Sequence, residues 1–365
     1  METRLMVDEL RDSMRRLLSV ESAPHALRAL VTQTGDFYRP LWSQMAGLGW
    51  FGLSVEEMFG GLGLDLDALL PLYEEQGRYL TPVPSLPLML AAQALANAGT
   101  AGQKSLWLPK LADGTLIAAL ALPQFGADLP VLDEHGRLNG TTAHLLYGDS
   151  ADLLFIPALR QSGDVRLVIL SATASGLAVT PHPVIDSTRR LAQVTFSDTA
   201  VAEDQQLLLT NAGWEALLDH AAVATACDSI GGAAQILDKT IEYMCVRKQF
   251  DRPIGSFQAL KHRAASWKIL LEAASALTRQ AVHLVAGGAA GASAAASSAK
   301  FYAADTYAAI AEDAIQLHGG IGFTWEHDCH LFLKRAKLNQ VLWGSSSEHK
   351  DRVARLAFFD TAANA

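Results

Sequence analysis

The sequence predicts an α+β multidomain chain: an N-terminal all-α domain, a middle β-barrel or sandwich domain, and a C-terminal four-helix bundle. Three observations predict it. The chain has 365 residues, more than the ~150 of a typical single domain. Its apolar periodicity shortens near Gly114 and lengthens again near Trp214. No internal repeat of 20–50 residues is present, which excludes solenoids and propellers.

Residues 1–113 read as helices. Leu5, Leu10, Met14, Leu17 and Leu18 recur at three- and four-residue steps, as do Leu41, Met45, Leu48 and Leu53, and then Leu70, Tyr73, Gly77 and Leu80. Gly60-Gly61 and Pro82, Pro84 and Pro87 punctuate these blocks. Residues 114–210 carry short runs instead: Ile117–Leu122, Leu153–Ala158, Val165–Leu170, Leu177–Val179 and Ala192–Phe196, divided by Gly, Asp, Asn and Ser. Asn139-Gly140 is a candidate hairpin turn. Residues 211–365 return to Ala- and Leu-rich text in four long segments, 214–249, 259–287, 292–317 and 328–358, as expected of a four-helix bundle.

Hydrophobic residues make up 50% of the chain and charged residues 18%, so part of the apolar excess is expected to lie against other subunits. A net charge of −9 argues against a nucleic-acid partner. Acidic residues interrupt the N-terminus and no run of ~18 apolar residues occurs, so neither a signal peptide nor a membrane span is expected, and the expected location is cytoplasmic. Cys227, Cys245 and Cys329 show no metal-ligand spacing and read as reduced thiols in helices; no metal is expected.

Three stretches carry more than architecture. Leu41 to Leu80 reads LWSQMAGLGWFGLSVEEMFGGLGLDLDALLPLYEEQGRYL, Arg247 to His262 reads RKQFDRPIGSFQALKH, and Gln316 to Thr324 reads QLHGGIGFT. In this order they resemble the acyl-CoA dehydrogenases, whose N-terminal domain carries LGW and EE-GR phrases and whose bundle carries R-K-Q-F-G and Q-x-x-G-G signatures. Asp251 stands where the second signature has Gly. The segment FSDTAVAEDQQLL, Phe196 to Leu208, fits the same family's middle domain.

The resemblance implies FAD. A flavin dinucleotide carries a doubly anionic pyrophosphate, and Arg247 offers a permanently charged planar fork for it. Gln249 and Gln258 add amide donors, and Gly319-Gly320 allow close backbone approach with free N–H groups. By resemblance, Arg247, Gln249, Phe257 and Gln258, with Gln316, Leu317, His318, Gly319 and Gly320, reach across a subunit interface to a neighbour's FAD. Taken singly, each has a plainer role: a cation at a helix C-terminus, a glycine cap, a structural histidine.

The family dehydrogenates acyl-CoA thioesters with a carboxylate base that takes the Cα proton. Here Trp343, in VLWGS, stands where most members keep that Glu. The minority position, on the first bundle helix, falls on Ala221. No catalytic base is therefore assigned. Asp219 lies roughly 200° around the helix from Ala221, and Asp228 and Glu348 match no family placement. The middle domain departs too: LPQFGAD, Leu122 to Asp128, replaces a T-E-P-G-A-G-S-D phrase, and His144-Leu145-Leu146-Tyr147 replaces W-I-T-N. An intact lending half with no base resembles the non-catalytic subunit of bacterial α2β2 acyl-CoA dehydrogenases. That implies a paralogous partner carrying the Glu, an acyl-CoA substrate of the complex, and electron-transfer flavoprotein as acceptor. Two alternatives stay open: a self-sufficient flavoenzyme with an unusual base, and a non-enzymatic scaffold paralogue.

Overall fold

The computed structural model describes residues 2–22, 27–28, 37–123 and 128–359. Helices occupy the N-terminal part: α1 (Glu2–Glu21), α2 (Arg39–Gly47), α3 (Leu66–Arg78), α4 (Ser85–Ala98) and α5 (Ala101–Ala112). Helix α1 docks on α3 through charge as well as apolar packing. Arg11 reaches Glu74 at 2.6 Å and Arg15 reaches the fully buried Glu75 at 2.6 Å. The two acidic residues of the EEQGR phrase are thus structural.

The glycine of that phrase has a different cause. A Cβ on Gly77 would stand 1.9 Å from the carbonyl oxygen of Asp228, and one on Gly231 would stand 1.9 Å from that of Glu74. Helix α3 therefore crosses α6 (Asn211–Val246) backbone to backbone, and only glycine fits at either point.

The middle part forms an eight-stranded sheet in the order β6-β7-β3-β2-β4-β5-β8, with β1 pairing β4 in parallel. The strands are β1 (Ala118–Leu120), β2 (Val131–Leu132), β3 (Arg137–Leu146), β4 (Leu153–Arg160), β5 (Val165–Ser171), β6 (Leu177–His182), β7 (Leu191–Ala200) and β8 (Gln206–Leu207). Asn139-Gly140 is not the hairpin turn; both residues lie inside β3. The turn falls at Asp133–Gly136, where the Asp133 carboxylate accepts from the N–H groups of His135 and Arg137 and Gly136 takes φ +72°. An Asx-type turn outcompetes Asn-Gly here. Asn139 instead accepts a 2.8 Å bond from the Asp198 N–H across the sheet.

The C-terminal part holds α6, α7 (Gln258–Ala286), α8 (Ala292–His318), α9 (Cys329–Val341) and α10 (Ser346–Ala354), with a small hairpin of β9 (Lys248–Gln249) and β10 (Arg252–Pro253) between α6 and α7. The fourth expected helix, 328–358, is divided. Trp343 at φ +59° and Gly344 at φ +112° break it between α9 and α10. The break is fastened from both sides. The buried Lys300 ammonium donates to the carbonyls of Gln340, at 3.0 Å, and Gly344. His349 Nε2 donates to the Trp343 carbonyl at 3.1 Å, and Ser345 with Glu348 forms a capping box that starts α10.

The α3–α6 crossing gives a direct test. Helix propensity alone favours Ala over Gly by about 1 kcal/mol, but overpacking against fixed backbone costs about 1–3 kcal/mol or more. Gly231→Ala is expected to destabilise the protein by a net ~2 kcal/mol in denaturant unfolding; a gain in stability would contradict the close crossing.

Candidate functional site

Two helix ends meet to make one exposed surface. Arg247 follows α6, its N–H bonded to Tyr243 O at 2.8 Å, with its guanidinium exposed and without a hydrogen bond or ion pair among the described residues. Its carbonyl accepts from Ile254 N–H at 2.8 Å, which closes the β9–β10 hairpin. The hairpin turn places Phe250 and Asp251 at φ +51° and +60°. Asp tolerates the left-handed region through its short polar side chain, so Asp251 takes the place of a glycine without changing the turn. Gln249 and Gln258 are exposed, and Phe257 is half-buried beneath the Arg252 guanidinium, 4.1 Å from its ring centre.

The end of α8 comes alongside. The Tyr243 ring stacks on His318 with centroids 4.4 Å apart. Gln316, Gly319 and Gly320 are exposed, Gly319 takes φ +63°, and neither glycine has an atom within 4 Å of where a Cβ would stand. Leu317 is half-buried. His318 differs from its neighbours: its ring is buried, with Nδ1 2.8 Å from Ala314 O. Its side chain belongs to the protein interior and only its backbone reaches the surface segment. The Gly319 N–H caps α8 on the Gln316 and Ile315 carbonyls, so the face presents a guanidinium unpaired among the described residues, amide side chains and glycines open to close approach, a combination suited to a phosphate-bearing ligand.

The chain's own cleft is built differently. Trp343 is 5% exposed and lines a cavity of about 290 Å3 together with Leu120, Ala121, Leu122, Thr142 and His144. Its indole Nε1 is buried without a partner. Residues 124–127 of the LPQFGAD phrase lie outside the described residues. His144 sits at φ +59°, where the β3–β7 register shifts between Thr142 and Leu145, and its ring meets His182 edge to face at 5.1 Å. Ala221 is fully buried in α6.

Beside Ala221, His220 was not singled out by sequence, since a lone histidine in an Ala-rich helix carries no spacing signal. It lies 2.7 Å from both the Tyr73 hydroxyl and Gln93 Oε1, and burial pushes its pKa down to about 4. It is a neutral core histidine.

Asp219, Asp228 and Glu348 are each engaged, whereas Asp128 lies exposed on the lining of the Trp343 cavity. Asp219 pairs with Arg352 at 2.8 Å and accepts from Ser293 at 2.6 Å; burial raises its pKa against the opposing pull of Arg352. Glu348 accepts from Ser345 in the α10 capping box, whose backbone and side-chain hydrogen bonds lower its pKa. Asp228 belongs to a fully buried network. Arg335 donates to it at 2.9 Å, Arg189 at 3.0 Å and Asn339 at 2.7 Å. Arg335 also reaches Asp186 at 2.6 Å and Thr188 at 2.5 Å. Burial raises the Asp228 pKa, but Arg189 and Arg335 outweigh it and hold the carboxyl below its ordinary range. A carboxylate so held is a poor base.

An acyl-CoA dehydrogenase N-terminal domain model matches residues 7–115, and an acyl-CoA dehydrogenase C-terminal domain model matches residues 211–358. The chain belongs to the acyl-CoA dehydrogenase family. It is 32% identical to the acyl-CoA dehydrogenase IpdE2 of Mycolicibacterium smegmatis over 96% of this chain and 98% of that protein. Among solved structures it is similar to the Tcur3481–Tcur3483 steroid ACAD G363A variant, at 31% identity and TM-score 0.89 over 98% of this chain and 99% of that one. It is also similar to the ChsE4–ChsE5 complex of Mycobacterium tuberculosis, at 26% identity and TM-score 0.91 over 97% of each chain. Members of this acyl-CoA dehydrogenase family bind FAD. No described helix is long and apolar enough to cross a membrane.

Removing one partner of a buried charge network costs about 3–5 kcal/mol. Asp228→Asn is expected to lose that much stability at pH 7 in denaturant unfolding. Because the folded pKa of Asp228 is depressed, its contribution is present above the unfolded value of ~3.9 and is lost as pH falls through the folded value. The gap between wild type and Asp228→Asn should therefore narrow below about pH 4, and a gap that widened in acid would contradict the assignment.

Proposed function

We propose that this chain is the non-catalytic subunit of an α2β2 acyl-CoA dehydrogenase, lending FAD-binding residues in trans to a paralogous subunit that carries the catalytic Glu. Its domains would divide at residues 1–113, 114–210 and 211–365. The observation that carries the proposal is Trp343: an indole, buried and fixed by its neighbours, stands where the base is expected. Neither it nor the buried Ala221 methyl accepts a proton. The wall it forms also takes up space that a thioester would need beside the middle domain.

The other face supports the same reading from the opposite direction. Arg247, Gln249, Phe257 and Gln258, with the Gln316–Gly320 segment, form a surface with a guanidinium unpaired among the described residues and glycines open to close approach. A partner's FAD pyrophosphate supplies the complementary double negative charge. When bound there, FAD supplies hydride acceptance from the Cβ of an acyl-CoA. This chain's residues would orient the dinucleotide: Arg247 through its guanidinium charge, the glycines by allowing close backbone approach. His318 contributes through backbone alone, its ring supporting Tyr243.

The relatives favour this quaternary reading. Two of the similar structures are named for paired proteins, and one is named a steroid ACAD. Steroid-derived acyl-CoA thioesters are the substrate class that this similarity favours, with electron-transfer flavoprotein as acceptor. A self-sufficient enzyme would need a free carboxylate in the cleft; Asp219, Asp228 and Glu348 are all held by structural partners, which leaves Asp128, exposed on the lining of the Trp343 cavity, to that alternative.

Arg247→Ala in the assembled complex is expected to weaken FAD binding by about 1.5–3 kcal/mol, the range for a charge-assisted hydrogen bond. Equilibrium flavin titration measures it, with circular dichroism showing unchanged helix content. Unaltered affinity would mean that Arg247 is only a surface cation at a helix end.

A further inference from the structure

Below the exposed Gly319–Gly320 segment lies a cluster that the sequence spacing concealed. The ligand-capable atoms of His318, His327 and Cys329 all lie within 4.8 Å of one another. His318 ends α8 and Cys329 begins α9, so the cluster joins two bundle helices across the intervening loop. The Cys329 sulfur is 3.4 Å from His318 Nδ1, and the two imidazole centroids are 4.5 Å apart. Both His318 and Cys329 are buried.

Burial pushes the Cys329 thiol pKa up to about 12, so a cation at this cluster would have to displace its proton. His318 Nδ1, the ring nitrogen facing the Cys329 sulfur, also lies 2.8 Å from Ala314 O, so ligation through it would exchange that contact for the metal. Tyr243 stacks on the ring and immobilises it. His327 is held by one long bond, 3.3 Å from Cys329 N–H to its Nδ1, and is free to re-aim. Burial lowers the pKa of both histidines, keeping them in the neutral form that ligates. Lys239 and Arg28 lie close by and share the single Asp328 carboxylate, at 2.7 and 2.8 Å from it.

We propose that His318, His327 and Cys329 form a three-ligand Zn2+ site with its fourth position open to water, tying the end of α8 to the start of α9. Two imidazoles and one thiolate are a donor set that zinc favours, and ligand atoms ~3.3–3.6 Å apart in a closed tetrahedral site follow from bond lengths of about 2.0 and 2.3 Å. The ligand atoms, all within 4.8 Å of one another, would draw together to reach that spacing. On binding, the Cys329 S–H bond breaks, its proton passes to solvent, and the sulfur electron pair forms the Zn–S bond. No electron is transferred. The cation would brace the loop that follows Gly319–Gly320 and so hold that surface in one conformation. The proposal rests on the cluster itself and is independent of the subunit role.

The test uses the full chain, purified without a polyhistidine tag and stripped of metal. Titrated with Zn2+, it is expected to bind one ion per chain, and with Co2+ to develop a thiolate-to-cobalt charge-transfer band. Loss of even an outer partner of a metal site costs roughly 10–100-fold in affinity, so Cys329→Ala and His327→Gln are each expected to weaken Zn2+ binding by at least ~100-fold. Because Cys329 is buried, the half-exposed His327 supplies the second variant, whose metal-free unfolding curve should match wild type. Cobalt binding without the thiolate band, or a band that persists at unchanged affinity in His327→Gln, would overturn the site.

Discussion

The Arg335 side chain holds the three parts of this molecule in register. It is 1% exposed, and its guanidinium donates to Asp186 and Thr188 of the β6–β7 connection, to Asp228 of α6, and, at 3.4 Å, to the Thr81 carbonyl that follows α3. Arg189 answers from the middle domain by bridging Asp228 and Asn339. Two arginines and two aspartates therefore cancel in the interior, and each hydrogen-bonding group meets a partner from a different region. Such a network is weak evidence of net stability, since hydrophobic residues could replace it at little cost. Its geometric demands, by contrast, leave few relative placements of the three parts. With α9 pinned through Arg335 and Asn339, the Trp343 turn just beyond it is set against the β1 and β3 wall.

From that placement the two functional halves separate. The inward half holds Trp343 over its cavity, with Lys300 and His349 taking the carbonyls on either side of the helix break. Burial brings the Lys300 pKa down to about 8 and that of His349 to about 4, so this fastening uses groups that a solvent-facing loop would not retain. The outward half leaves the Arg247 guanidinium without a hydrogen bond or ion pair among the described residues, beside glycines open to close approach. One side of the chain closes around an indole whose own Nε1 is left without a partner. The other leaves the Arg247 guanidinium to solvent, where water satisfies it and a ligand could replace that water.

Much of this was legible in the residues. The α–β–α order followed from periodicity, and the replaced base positions followed from a tryptophan and an alanine in otherwise familiar phrases. What escaped has physical causes. The long strand β3, RLNGTTAHLL, is largely exposed and carries no clean apolar alternation, so Asn139-Gly140 looked like a turn. The break in the last helix depends on Lys300 and His349, which lie 43 residues before and 6 residues after Trp343 and leave no local mark. The burial and engagement of Asp228 were not legible because its partners Arg189 and Arg335 lie far from it in the sequence. The metal-capable cluster was invisible for a similar reason: His318, His327 and Cys329 follow no familiar ligand spacing and converge only because the loop after α8 folds back.

The central claim, that this chain lends half a flavin site and completes none of its own, is tested most directly by flavin stoichiometry. FAD absorbance per polypeptide should be measured for the chain alone and for the chain assembled with its Glu-bearing paralogue. The account predicts little retained flavin in the isolated chain and one FAD per heterodimer in the complex. Full flavin occupancy in a pure homo-oligomer of this chain would contradict it.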